Sequence, residues 1–325
     1  MREISYADAV VEAIEEEMDK NEEVFVIGED IGRYGGAYFA NPKLWNKFGD
    51  ERVRDTPISE SAIVGFALGA AITGMRPVAE IMFCDIMTVA MDQIVNQVAK
   101  MRYMFGGNVK VPLVIRTPIG GFHNSAAQHS QSLESWFAHV PGLKVVMPSS
   151  PYAAKGLLKT AIRSNNPVIF FEHIQLYRQK GPVPEEEYYI PFGEANILRE
   201  GKDLTVVASA VMVHRVMNVA NKLEKKGIQI EVIDPQTLCP FDKETILSSV
   251  KKTGRLLVVH QACKTCGFGA EIAAIVAEEG FDYLIDSIQR LGAYDIPVPF
   301  ASNLEDYTIP NEQRIFSAIT EFLGK

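Results

Sequence analysis

Short apolar runs rich in β-branched residues alternate along the chain with stretches whose apolar positions recur every three to four residues. The runs are VFVIG (24–28), RPVAEIM (76–82), VPLVIRT (111–117), LKVVMP (143–148) and PVIFFE (167–172), and amphipathic patterns begin near Ala7, Ser61, Asp85, Ser132 and Pro151. Such alternation predicts an α/β fold with a parallel sheet covered by helices. From about Arg178 to Gly201 the periodicity lapses into a segment rich in Pro, Gly and charge, which reads as a linker. Beyond it the alternation restarts with DLTVVAS (203–209), a helix over about 213–226, IQIEVID (228–234), RLLVVHQ (255–261) and a last helix ending near Leu323. The expectation is two α/β domains, 1–185 and 186–325, joined by a crossing strap.

Composition narrows the classes of function. With 325 residues, 47% of them hydrophobic, the chain can bury a sizeable core. A net charge of −9 with no long basic run gives no electropositive footprint, so nucleic acid is not an expected partner. The N-terminus MREISYADAVVEAIEEE is charged from its second residue, and no later run of apolar residues suggests a membrane span, so a cytoplasmic location is expected. Cys84, Cys239, Cys263 and Cys266 are too few and scattered for a disulfide framework. The lone CxxC at Cys263 and Cys266 lacks two further zinc ligands and reads as two thiols in a turn before a helix.

Ligands of open parallel sheets bind beyond the carboxyl ends of the strands, which draws attention to three places. Glu29 and Asp30 follow VFVIG. Glu60, behind a candidate N-cap Ser59, begins a helix rich in Gly and Ala. The loop GGFHNSAAQHSQSLESW after VPLVIRT carries His123 and His129. Alone, Glu60 reads as a solvated first-turn acid. The following residues, 62–74, contain almost nothing polar, so the helix is expected to be buried all round and to carry its acidic N-terminus inside. A carboxylate there needs a partner, with the helix dipole favouring its charge and burial opposing it. Residue chemistry does not choose between His123 and His129, and His260 at another strand end is a third candidate of the same grade. Glu185, Glu186 and Glu187 read as a solvated face.

At these residues the chain resembles a known family. GEDIGRYGGAYF, RVRDTPISESAIVGFALGAA, AKMRYMFGG, QHSQSLESWFAHVPGLKVVMPSSPYAAKGLLKTAIRSNNPVIFFE and KKTGRLLVVH are similar, in order and spacing, to the β subunits of the thiamine-diphosphate-dependent component of 2-oxo acid dehydrogenases. The resemblance covers essentially the whole chain, and QHSQSLESWFAH looks more like the pyruvate and acetoin enzymes than the branched-chain ones. It implies a transketolase-like fold whose N-terminal domain holds the aminopyrimidine of thiamine diphosphate. Glu60 stands at the family's position for the acid that hydrogen-bonds the pyrimidine and favours the tautomer that deprotonates the thiazolium. His129 matches the proton-transferring residue active as the acyl group passes to a lipoyl arm. Glu29, Ile58, Ser59, Met82 and Ile86 match positions lining the cofactor, and Phe83, Cys84, Asp85 and Ile86 the substrate-side wall. Asp92 joins Glu29 and Glu60 in an expected acidic passage.

Two departures from the family bear on the site. Ile86 stands where an aromatic residue commonly packs on the pyrimidine. Ser164 stands where an aspartate is common in a potassium site otherwise matched by Leu113, Ala161, Ile162 and Asn166. The GDG motif that binds the diphosphate through magnesium is missing from the sequence. The resemblance therefore implies that a separate α subunit supplies that half, in a heterotetramer of two α and two β chains, with the acyltransferase core attached through the C-terminal domain. The alternatives are a branched-chain 2-oxo acid dehydrogenase β subunit, the C-terminal part of a transketolase or deoxyxylulose-phosphate synthase, and a non-catalytic assembly subunit.

Overall fold

The computed structural model describes residues 1–36 and 42–324. The chain forms two compact units, one of residues 1–119 with 136–192 and the other of 120–135 with 193–325. The first unit runs β1 (Arg2–Ser5), α1 (Tyr6–Lys20), β2 (Val24–Glu29), α2 (Lys43–Arg52), β3 (Val53–Thr56), α3 (Glu60–Ile72), β4 (Arg76–Glu80), α4 (Met101–Met104) and β5 (Val114–Ile119). After the intervening loop, α5 (Glu134–Ala138) leads back to β6 (Lys144–Val146), α6 (Pro151–Arg163), β7 (Val168–His173) and β8 (Lys180–Val183). Six of these strands lie in the order β6-β7-β5-β4-β2-β3, and every pairing among them is parallel. β1 and β8 form a separate antiparallel ribbon.

Local chemistry sets the helix limits. Ser5 caps α1 by accepting the Asp8 amide, and the buried residues Tyr6, Ala9, Val10, Ala13, Ile14, Glu17 and Met18 fall at helical spacing on one face. Ser150 caps α6 in the same way through the Ala153 amide, with Pro151 at the position where a missing N–H costs nothing. Between α1 and α6 the ammonium groups of Lys155 and Lys159 are fully buried. Lys155 pairs with Glu12 and with Glu16 at 2.7 Å, and Lys159 pairs with Glu16 at 2.6 Å. Burial opposes ionisation of Glu16, but the two lysines outweigh it and hold the carboxyl at about 2.

The second unit holds β9 (Asn196–Arg199), β10 (Leu204–Ala208), α7 (Val211–Glu224), β11 (Ile230–Asp234), β12 (Thr237–Cys239), α8 (Lys243–Thr253) and β13 (Leu256–Cys263). It ends with α9 (Phe268–Glu279), β14 (Gln289–Ala293), α10 (Ser302–Thr308) and α11 (Glu312–Phe322). Its sheet order is β14-β13-β10-β11-β9, parallel except for β9. Val207, Ile233, Ile246, Val250, Val258 and Ile272 pack into its core.

By its contacts the loop 120–135 groups with the second unit, and the division between the units falls between Phe192 and Gly193, inside the segment expected as a linker. Three expectations are corrected. The expected linker contains β8 and β9. The helical pattern near Asp85 is a 3-10 segment, Cys84–Ala90, followed by a π-helical turn, Gln93–Val98. Thr88 Oγ1 donates to the Asp85 carbonyl at 2.8 Å there, a side-chain bond that competes with regular α-helical bonding. α3 is not buried all round, because Ala62, Gly65, Phe66 and Ile72 leave one face exposed.

Candidate active site

Register brings the ends of neighbouring strands to one edge of the first unit's sheet. Glu29 faces Thr56 across β2 and β3, and Gly28 faces Glu80 across β2 and β4. The residues after these strands, Asp30, 57–60 and 81–86, therefore emerge together at the carboxyl edge, where parallel sheets bind ligands. Glycine is required at position 28, since a β-carbon there would lie 2.8 Å from the Glu80 carbonyl oxygen.

Glu60 opens α3 and is 8% exposed. Ser59 holds the N-cap position but its side chain makes no capping bond. Its ψ is 74°, against 158° and 160° at Ser5 and Ser150, so the helix amides that follow are turned differently relative to its side chain. Instead the Ser59 carbonyl accepts the Ala62 and Ile63 amides at 3.0 and 2.9 Å. Among the described residues the Glu60 carboxyl accepts no hydrogen bond and has no ion pair. Its electrostatic neighbour is Glu29, whose carboxyl is pushed up by burial and then by the negative charges of Asp30 and Glu60. The two carboxyls lie close enough to interact at the start of α3, so this end of the helix can present a carboxyl group to a ring nitrogen. Asp92 is exposed and accepts from Asn96 Nδ2 at 2.7 Å, and it is not among the charges acting on Glu29.

The expected cofactor and substrate wall divides in two. Met82, Phe83 and Ile86 are half-buried and Ile58 is exposed, so these side chains are available to a ligand. Cys84 and Asp85 are buried, with Cys84 Sγ 3.7 Å from Asp85 Oδ2, and they back the wall rather than line it. Beside Ser59 runs a cleft of about 710 Å³ lined by Ile27, Thr56, Ala62 and Phe66. The Thr56 hydroxyl is buried without a partner in it. An unpartnered buried carboxyl, an unpartnered hydroxyl and adjacent half-buried apolar side chains suit an aminopyrimidine, which has both polar ring atoms and an apolar face.

Sequence reasoning missed a charged cluster behind this wall. Arg116 on β5 donates Nε and Nη2 to the two oxygens of Glu172, each at 2.7 Å, and pairs with Glu80 through Nη1. Tyr177 Oη donates to Glu172 at 3.1 Å. Burial raises the Glu80 carboxyl and Arg116 pulls it back. The signal was a charge inside each of three apolar strand runs, which cannot be buried without partners.

In the second unit the loop 120–135 holds His129 exposed and His123 half-buried. Phe122, Asn124 and Ala126 have positive φ of 70°, 58° and 60°. The third candidate, His260, is a core residue. Burial lowers its pKa to about 4 despite the Ala262 carbonyl 3.1 Å from Nδ1, and Gly267, Gly269 and Gly292 pack against its ring.

The oxygens expected to hold potassium gather at the end of α6, where a built-in cation already sits. Arg76 donates Nε to the Ile162 carbonyl at 2.9 Å and Nη2 to the Ser164 carbonyl at 2.8 Å. The Leu113, Ala161 and Asn166 carbonyls accept from the Val168 amide, the Ser164 amide and the Ser164 hydroxyl. The Arg76 guanidinium takes two of these oxygens, and one protein donor is bonded to each of the other three. The cluster reads as an arginine cap on the negative end of α6.

Family models for the transketolase pyrimidine-binding domain and the transketolase C-terminal domain match residues 2–180 and 193–315. The chain is 49% identical to the acetoin:2,6-dichlorophenolindophenol oxidoreductase subunit beta of Cupriavidus necator, over 98% of this chain and 96% of that protein. It is 46% identical to the 2-oxoisovalerate dehydrogenase subunit beta of Bacillus subtilis, over 98% of each. The identity is also 46% to the pyruvate dehydrogenase E1 component subunit beta of Gracilaria tenuistipitata var. liui, over 98% of this chain and 99% of that one. A solved split-gene transketolase, described as an inactive beta4 tetramer, matches 99% of this chain and 98% of its own with a TM-score of 0.81 at 22% identity, a likeness of fold. With both transketolase domains matched in order and relatives this similar over nearly the full length, the chain belongs to the transketolase-like family of 2-oxo acid and acetoin dehydrogenase β subunits.

Proposed function

We propose that this chain is the β subunit of a thiamine-diphosphate-dependent 2-oxo acid dehydrogenase component, of the pyruvate or acetoin type, that decarboxylates its substrate and acylates a lipoyl domain. The observation that carries this reading is Glu60, a carboxyl buried at a helix start, unpartnered, and set against Glu29. When bound, thiamine diphosphate supplies a nucleophilic carbon and an electron sink for the decarboxylation. The Glu60 carboxyl would hydrogen-bond the pyrimidine nitrogen, with Glu29 beside it. Met82, Ile86 and Ile58 would pack against the ring, with aliphatic packing in place of aromatic stacking at Ile86. Phe83 takes the substrate side, and His129 moves the proton as the acyl group leaves.

The site is half of a larger one. An α subunit holds the diphosphate and its magnesium, and two chains of each kind make a heterotetramer in the cytoplasm. The exposed face of α3 supports a partner of this kind. Ala62, Gly65, Phe66 and Ile72 lie open on it, and a β-carbon added at Gly69 would meet nothing within 4 Å. The acyltransferase core attaches to the C-terminal domain. Because this chain is acidic, a small basic domain would serve as its counterpart, and attachment that weakens with added salt is the signature.

The test is to purify the chain alone and with its α subunit and assay both against pyruvate, 2-oxoisovalerate, 2-oxobutyrate and acetoin. Turnover by the pair, with the chain alone binding cofactor weakly and doing no chemistry, is expected. Tight, magnesium-dependent cofactor binding by this chain alone would contradict the two-chain site.

A further inference from the structure

Glu305, near the C-terminus of the chain, has a placement that its sequence neighbourhood does not explain. It lies on α10, is 2% exposed, and has no ion pair among the described residues. Leaving a carboxylate buried is costly unless its oxygens are hydrogen-bonded. Here both are bonded, and to one loop. Oε1 accepts the Phe122 amide at 2.7 Å and Oε2 accepts the Asn124 amide at 3.2 Å.

The loop is shaped to fit this carboxylate. Phe122 and Asn124 take left-handed φ, which L-residues seldom adopt without support, and their amides converge on the carboxylate as in an anion-binding nest. The loop passes close over this carboxylate at Gly121, where an added β-carbon would lie 2.9 Å from Glu305 Oε1 and 2.9 Å from Ile309 Cδ1 and would make those side-chain ends shift. From the other side the Arg215 guanidinium sits 3.8 Å from the centre of the Phe122 ring, and its Nη1 donates to the Pro310 carbonyl at 2.8 Å. The Gly120 amide closes the neck of the loop on the Gln131 carbonyl at 3.2 Å. The clamped turn leads into the segment that carries His129.

We propose that Glu305 is the positioning residue of this histidine loop. By accepting two amides in their left-handed conformation it fixes the course of the loop, and through the loop it sets His129 for proton transfer. The inference rests on the reading of His129 given above. Glutamine cannot replace the carboxylate fully, because its amide group presents one acceptor and one donor to two N–H donors.

The experiment uses the assembled enzyme with its α subunit, cofactor and lipoyl domain, and compares Glu305→Gln, His129→Ala and the double variant. In Glu305→Gln, hydrogen exchange at the Phe122 and Asn124 amides should quicken by about 10-fold or more while helix α7 keeps its protection. Lipoyl acylation should slow by about 10- to 100-fold, the scale of a misplaced catalytic group, while exchange of the cofactor's C2 proton persists. The double variant should acylate no more slowly than His129→Ala alone, because Glu305 acts through that residue. Unchanged amide exchange, losses that multiply in the double variant, or an equal loss of C2 exchange would each overturn the proposal. If His129→Ala proved silent, the functional reading would fall, and the two amides would still judge the clamp.

Discussion

Glu134 heads α5 fully buried with Oε2 unpartnered, and His260, buried with Nε2 unpartnered, lines the same small cavity. Burial raises the Glu134 carboxyl to about 7, with a backbone hydrogen bond opposing it. In the unfolded chain the group ionises near 4.5. Between these values the unfolded state gives up its proton first, so the stabilising effect of the neutral acid is complete below 4.5 and is lost as pH rises through about 7. A rise of that size corresponds to about 3 kcal/mol. Glu134→Gln removes the titration, so its stability relative to the unmodified chain should climb from pH 4.5 to 7 and stay flat above. Urea midpoints measured across that range would show it, and a constant difference would refute it. His260 acts in the opposite sense, since stability from its neutral burial is lost as pH falls from 6.5 toward 4. Glu60 was legible in the sequence because a carboxylate heads an apolar helix within a few residues. Glu134 and Glu305 were not, because what defines them lies more than a hundred residues away, a ring on β13 in one case and loop amides in the other.

Among the elements, the long apolar strands were legible because a strand covered on both faces must be apolar throughout, as in β5 and β7, where every residue is buried. β3 was missed because Arg54 and Asp55 leave its middle exposed, a pattern no different from a loop. α6 was legible as an amphipathic helix, but Lys155 and Lys159 would have been read onto its solvent face. The structure buries both against α1, where three partly shielded glutamates replace water. Lys155→Met should therefore destabilise the chain by about 3 kcal/mol, the lower end for breaking a buried pair because Glu12 and Glu16 keep some solvent. A denaturation midpoint equal to that of the unmodified chain would show that the pair contributes nothing.

For the whole molecule, the alternation of strands and helices announced two α/β units, but not that the first surrenders its histidine loop to the second. A boundary of this kind is invisible to a linear pattern, since it depends on which side chains a loop finds after folding. The proposed function gives Glu60 the activation of the cofactor and His129 the movement of a proton on the substrate side. Exchange of the cofactor's C2 proton in the assembled enzyme separates these roles. Glu60→Gln is nearly isosteric and should slow that exchange by about 100-fold or more, the scale of a lost general acid or base. His129→Ala should leave it intact while acylation of the lipoyl domain falls. C2 exchange that survives Glu60→Gln, or that His129→Ala abolishes as completely, would contradict the account.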